Sequence, residues 1–214
     1  MDVQLYLIIF FLVFILVMIT SVTTTFYARR RELQKKVKLD VTEEEMLESE
    51  KRINSFFKDN NMEAGEPISE IAKILNVEQG GIESGLQSQA YLKKCDNTGK
   101  KIVVFKAGLS EKEKLFVFAH EIAHLLNGDS VPVTRPNGHN KSQMEQRADY
   151  TAAALLMPLD EIYRYMVENE YEKASVRKRT AVIRELCKMY NVTEVIALRR
   201  VKEVYVLKQM RKNV

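Results

Sequence analysis

His120-Glu121-Ile122-Ala123-His124 places two histidines four residues apart, with a glutamate directly after the first. On an α-helix, residues i and i+4 stand one above the other, so both imidazoles can reach one metal ion. The glutamate sits about 100° round the same helix, close enough to hold a water on that metal without being a ligand. Zinc in a hydrolytic site takes three protein ligands and keeps a fourth position open. The pentapeptide therefore supplies two ligands, His120 and His124, and a general base, Glu121. The chain has three histidines in 214 residues, which makes this spacing informative. The competing reading is a buried helix whose histidines are merely hydrogen-bonded.

A third ligand has to come from outside the pentapeptide. The continuation His-x-x-Gly-x-x-His would put glycine at position 127 and histidine at position 130; the chain has Asn127 and Ser130, which excludes that class of zinc peptidase. His139 is the remaining histidine, in a proline-interrupted loop with nothing to aim it. Glu145 is the better candidate. It falls on the next predicted helix, with Asp149 one turn later on the same face. A glutamate completes the common set of two histidines and one carboxylate. Asp149 is then placed to accept the spare ring N–H of His120 or His124 and so fix its tautomer. A local alternative exists for Glu145: Ser142-x-x-Glu145 is a capping-box pattern, which would turn the carboxylate back onto its own helix. His139 and Tyr150 are candidates for a second donor to a tetrahedral oxyanion.

The positioning elements can be read from patterning. Val41 to Asn60 reads as an amphipathic helix with a Thr42/Glu45 capping box. Pro67 opens a second helix through Leu75, which Gly80-Gly81 ends or interrupts. Ala90 to Lys94 and Ile102 to Lys106 read as two strands about the turn Asp96-Asn97-Thr98-Gly99. Such a hairpin beside the metal helix either offers a sheet edge to an extended substrate or merely covers a core. Ser110 and Glu113 cap the helix that carries both histidines, with a stop at Asn127-Gly128. Ser130 to Lys141 is a loop. Helices follow from Ser142 to Met157, from Pro158 to about Asn169, from Val176 to Tyr190 and from Thr193 to about Lys208. The fold class expected is α+β, mostly helical, with a small hairpin or sheet next to the metal helix.

From Val3 to Ala28 no residue is charged, and Arg29, Arg30, Arg31, Lys35, Lys36 and Lys38 follow closely. About 20 apolar residues span a bilayer, and the positive-inside rule keeps the basic cluster in the cytoplasm. The expectation is a single-pass anchor through residues 3–28, with the N-terminus outside and the catalytic part cytoplasmic. Residues 1–28 are then the anchor, 29–65 a basic juxtamembrane segment with an amphipathic helix, and 66–214 a zinc-peptidase domain. The formal charge of +4 comes partly from the basic cluster, which suits anionic lipid heads better than nucleic acid. Cys95 and Cys187 are too few and too far apart in sequence for a disulfide scaffold.

Two segments together resemble the ImmA/IrrE family of metallopeptidases. One is Phe118-Ala119-His120-Glu121-Ile122-Ala123-His124-Leu125-Leu126. The other is Glu145-x-x-Ala148-Asp149, continuing through Ala152-Ala153 to Leu155-Leu156-Met157-Pro158. Weaker likeness extends over roughly Ile68 to Val204, including Leu198-Arg199-Arg200. The resemblance implies a zinc endopeptidase with His120, His124 and Glu145 as ligands and Glu121 as base. It also implies a protein substrate, a helix-turn-helix repressor, and no small-molecule cofactor. Thr151 departs from the family's usual phenylalanine, and the anchor is foreign to its pattern.

Other classes remain. Ile68 to Leu86 and Arg184 to Val204 each resemble two helices about a tight turn, as in DNA-binding units. Gly80, Gly81 and Glu83 are poor base readers, so nucleic acid is not the expected partner; Arg199 and Arg200 give the second segment a little more support. A membrane-tethered zinc protein that cleaves nothing is the third reading, and it would have no need of Glu121.

Overall fold

The computed structural model describes residues 11–21, 39, 41–95, 98–129 and 142–212. The chain divides after Lys38. From Leu39 onward the elements run α1 (Glu43–Asp59), α2 (Ile68–Ile74), β1 (Val77–Glu83), β2 (Ala90–Lys94), β3 (Lys101–Lys106) and α3 (Glu111–Asn127). They continue as α4 (Gln143–Leu156), α5 (Leu159–Glu168), α6 (Val176–Met189) and α7 (Glu194–Lys212). The class is α+β and mostly helical, as the patterning predicts.

Helices start where a short hydroxyl side chain can hold an orphan backbone N–H. Thr42 and Ser110 do so for α1 and α3, and Glu45 and Glu113 return the bond to the cap backbone, closing two full capping boxes. At α4 the same sequence pattern behaves differently. Ser142 accepts from the Glu145 N–H at 3.3 Å, but the Glu145 carboxylate is used elsewhere, as described below.

Helix α3 lies at the centre. Val117 through His124 are all buried, more than two turns, so the helix is covered on every side. The sheet covers one side, with Phe105 of β3 against Phe118 at 6.4 Å between ring centroids. Helix α4 covers another, and its Ala148, Ala152, Ala153 and Ala154 are buried against neighbours. Small side chains there let two helix backbones approach closely, which is what two elements sharing one ion require.

The sheet order is β1-β3-β2, with β1 parallel and β2 antiparallel to β3. The predicted hairpin is present as β2 and β3. Strand β1 is the surprise, because it falls where the sequence suggests the second helix of a helix-turn-helix unit. Its burial is confined almost to Val77, so it lacks the apolar alternation by which a strand is recognised. The pairing with β3 shifts register between Gln79 and Ile82, and Gly80 lies in that irregularity. A Cβ at Gly80 would press into the Ile102 Cγ2 methyl and lie 3.1 Å from the Val103 carbonyl oxygen. Gly80→Ala is expected to lower stability by about 1–3 kcal/mol, measured by denaturant unfolding of the full chain. Unchanged stability would mean that β1 does not pack against β3 in this register.

The predicted anchor is corrected. Of residues 3–28, residues 11–21 are described and are helical. No helix among the described residues is long and apolar enough to cross a membrane. The single-pass arrangement with an outside N-terminus and a cytoplasmic catalytic part is therefore not supported. The rest of residues 3–28 lies outside the described residues.

Candidate metal centre

His120 and His124 meet side by side on α3, as their spacing requires. Their Nε2 atoms are 3.0 Å apart. Glu145 of α4 faces both, with one carboxylate oxygen 3.3 Å from His120 Nε2 and the other 3.3 Å from His124 Nε2. All three side chains are buried.

What the outer ring nitrogens touch decides what the inner ones can do. His120 Nδ1 lies 2.9 Å from Asp149 Oδ1, and His124 Nδ1 lies 2.8 Å from Asp129 Oδ2. A carboxylate accepts and does not donate, so each ring carries its proton on Nδ1 and turns the Nε2 lone pair inward. Two lone pairs and a carboxylate then face one another in a water-poor space, an arrangement that repels itself unless a cation sits among them. Burial alone would push the Glu145 carboxyl up. Were the imidazoles protonated, their hydrogen bonds and charge would outweigh burial and hold the group well below the usual carboxylate range; with neutral rings, a cation in the same space does so. Metal bonds of about 2.0–2.2 Å at tetrahedral angles set neighbouring donors about 3.3–3.6 Å apart. The observed triangle is close to that size, so the donor set fits a small borderline-soft divalent ion such as zinc.

Asp129 is the site residue that sequence reading does not find. Gly128 adopts the left-handed conformation at the end of α3, φ 74°, and turns the chain back over the last turn. The Asp129 N–H then donates to the His124 carbonyl at 2.9 Å while its side chain holds the His124 ring. An acid directly after a C-terminal glycine, five residues past the second histidine, is the signal that was there to read. Asp149, expected to orient either histidine, faces His120.

Tyr150, a candidate oxyanion donor, is engaged with Glu50 and Arg200. Its hydroxyl donates to Glu50 Oε1 at 2.7 Å, its ring lies under the Arg200 guanidinium, and it is completely buried. Burial pushes its pKa far up, so the proton stays on the phenol and goes to Glu50, not to a substrate oxyanion. His139 lies outside the described residues. Arg199 and Arg200, weighed as DNA contacts, point inward: Arg200 reaches Glu50 and the Met157 carbonyl, each at 2.8 Å, and Arg199 reaches Asp149 and Glu203. Helix α1 ties the two site helices together from outside. Gln143 of α4 donates to Glu45 at 2.6 Å, and Arg52 donates to the Asn127 carbonyl of α3 at 3.3 Å.

Residues 82–202 match the peptidase M78 family, described as the IrrE N-terminal-like domain, over more than half of the chain's 214 residues. The chain belongs to this family. The match agrees with the resemblance read from the two motifs, and it covers α3, α4, both histidines, Glu145 and both carboxylates that hold the rings. No curated protein matches the chain. Within this M78 peptidase domain, Glu121 is buried beside the cluster, about 100° round α3 from His120 and about 60° from His124. Helix α1 and Glu203 lie outside the matched segment yet reach into the packing behind the site.

Proposed function

We propose that this M78 family member is a zinc-dependent endopeptidase that hydrolyses peptide bonds of a regulatory protein. The observation that carries the reading is the convergence of His120, His124 and Glu145 with Glu121 next to them on α3. The three ligand residues would hold the ion. Zinc bound there would supply Lewis acidity, polarising the scissile carbonyl and bringing the pKa of the attacking water toward about 7.

The protein's own part follows from its chemistry. Glu121 is a carboxylate with no place among the three ligands, so it is available to take the proton of the attacking water. The same group returns that proton to the amine nitrogen as the C–N bond breaks. Asp149 and Asp129 keep the ring protons on Nδ1, so neither histidine is free to swing or to change tautomer during turnover. The close packing of α3, α4 and the sheet excludes bulk water behind the site and strengthens each of these interactions.

A helix-turn-helix repressor is the substrate that the family resemblance suggests. The rival reading, a zinc protein that cleaves nothing, leaves Glu121 without a role. The DNA-binding reading is weakened by the inward course of Arg199 and Arg200. The test pairs metal content with cleavage. The full chain is expected to hold one zinc, to lose it in Glu145→Gln, and to cut candidate repressors in a manner abolished by a chelator and restored by added zinc. Zinc retained at full occupancy in Glu145→Gln, or cleavage indifferent to the chelator, would sink the proposal.

A further inference from the structure

Each ligand histidine is backed by an aspartate, and each of those aspartates is itself held by an arginine on its other oxygen. Asp129 gives Oδ2 to His124 at 2.8 Å and Oδ1 to Arg147 Nη2 at 2.9 Å. Asp149 gives Oδ1 to His120 at 2.9 Å and Oδ2 to Arg199 Nη1 at 3.2 Å. The two chains, His124–Asp129–Arg147 and His120–Asp149–Arg199, repeat one design with residues from different parts of the fold. Arg147 comes from α4 and Arg199 from α7; Arg199 is fixed in turn by Glu203, whose Oε1 accepts from its Nε at 2.9 Å.

We infer that Arg147 and Arg199 are positioning residues for the metal centre, each locking the carboxylate that aims one ligand imidazole; this rests on the metal-site reading above. The terminal torsion of an aspartate is broad, so a carboxylate anchored through one oxygen can rock about its bond to Cβ. Anchoring the second oxygen on a planar guanidinium fixes the plane of the group and so the direction of the lone pair that receives the ring N–H. Both aspartate side chains are buried, where an unmatched charge is costly. The arginine in each chain meets that need and leaves the histidine side of the carboxylate undisturbed. The two sides are not equivalent. The Arg147 side chain is 28% exposed and that of Arg199 is 12% exposed and braced by Glu203, so Arg147 is the better position for a substitution that leaves the fold intact.

The experiment measures zinc affinity of the full chain by competition with a chromophoric chelator, together with the visible bands of the cobalt(II)-loaded protein. Arg147→Met is expected to weaken zinc binding about tenfold, at the lower end of what ligand-orienting partners contribute. The cobalt bands should shift, because the geometry at His124 is no longer held. Arg147→Lys keeps the charge opposite Asp129, so its metal-free thermal unfolding should move by no more than about 2 °C, which separates orientation from loss of fold. Arg147→Lys, which keeps the charge and loses the planar fork, should fall between wild type and Arg147→Met. Arg199→Lys should weaken zinc binding in the same direction. Wild-type zinc affinity and unshifted cobalt bands in Arg147→Met and Arg199→Lys, alongside lost zinc in Glu145→Gln, would overturn this inference and leave the metal site standing. Should Arg147→Met not fold, the same wild-type behaviour in both lysine variants overturns it. A wild-type chain that takes up no zinc would remove both.

Discussion

Glu121→Gln is expected to keep zinc at wild-type stoichiometry while peptide cleavage falls by a factor of about 10²–10⁴, the usual contribution of a positioned general base. Glutamine has the shape and hydrogen-bonding length of glutamate but cannot accept a proton at neutral pH. The substitution is nearly isosteric, so α3, buried from Val117 to His124, should keep its packing, and loss of fold would not explain a loss of rate. The three proposed ligands are also untouched, because Glu121 is not among His120, His124 and Glu145. The comparison requires metal analysis and single-turnover cleavage on the same preparations, so that chemistry is separated from product release. Cleavage at the wild-type rate would remove Glu121 from the reaction. Loss of zinc together with cleavage would instead make Glu121 part of the metal-holding set.

Arg200→Met is expected to cost about 3–5 kcal/mol of folding stability, the range for breaking a buried ion pair from one side. Arg200 is completely buried, donates to Glu50 and the Met157 carbonyl, stacks on Tyr150 at 5.3 Å and lies 3.6 Å from Glu203. Methionine fills much of the same volume, yet it leaves two buried carboxylates facing one fewer cation. Single domains hold only about 5–15 kcal/mol in total, so a large share of the fold's stability is at stake. For a domain of this length the melting temperature should drop by roughly 6–20 °C. Adding Glu50→Gln to Arg200→Met should recover part of the loss by removing one of the stranded charges, a coupling that a double-mutant cycle reads directly. A melting temperature within a degree or two of wild type in the single variant would show that this network contributes little.

The helices and the predicted hairpin were legible because each carries a local signal. Thr42, Ser110 and Ser142 mark starts, Gly128 marks a stop, and apolar residues recur at helical spacing between them. Strand β1 was not legible. It has a glycine pair and little buried surface, and only its partner β3 makes it a strand. In the site, the two histidines follow from sequence spacing alone, since a helix brings i and i+4 together whatever surrounds it. Glu145 is one helix away, and its sequence pattern left a capping role open. The structure separates the two roles within one residue: the backbone N–H serves the cap and the carboxylate serves the histidines. Asp129 carries a local signal, the acid directly after the C-terminal Gly128, whereas Arg147 and the inward course of Arg199 depend on how helices return in space, and no local pattern encodes that. The apolar run of residues 3–28 is a signal of composition, and no helix among the described residues is long and apolar enough to match what composition suggests.

Glu50 gives the location of α1 a practical weight. A fragment trimmed to the segment that resembles other M78 peptidases, residues 82–202, would discard the carboxylate on which Arg200 and the Tyr150 phenol both converge. It would also discard Glu203, the brace of Arg199. Such a piece would retain every ligand residue and yet strand a guanidinium in an oily interior. Kinship along the chain and compactness of the fold therefore have different borders in this protein, and the compact unit begins ahead of α1.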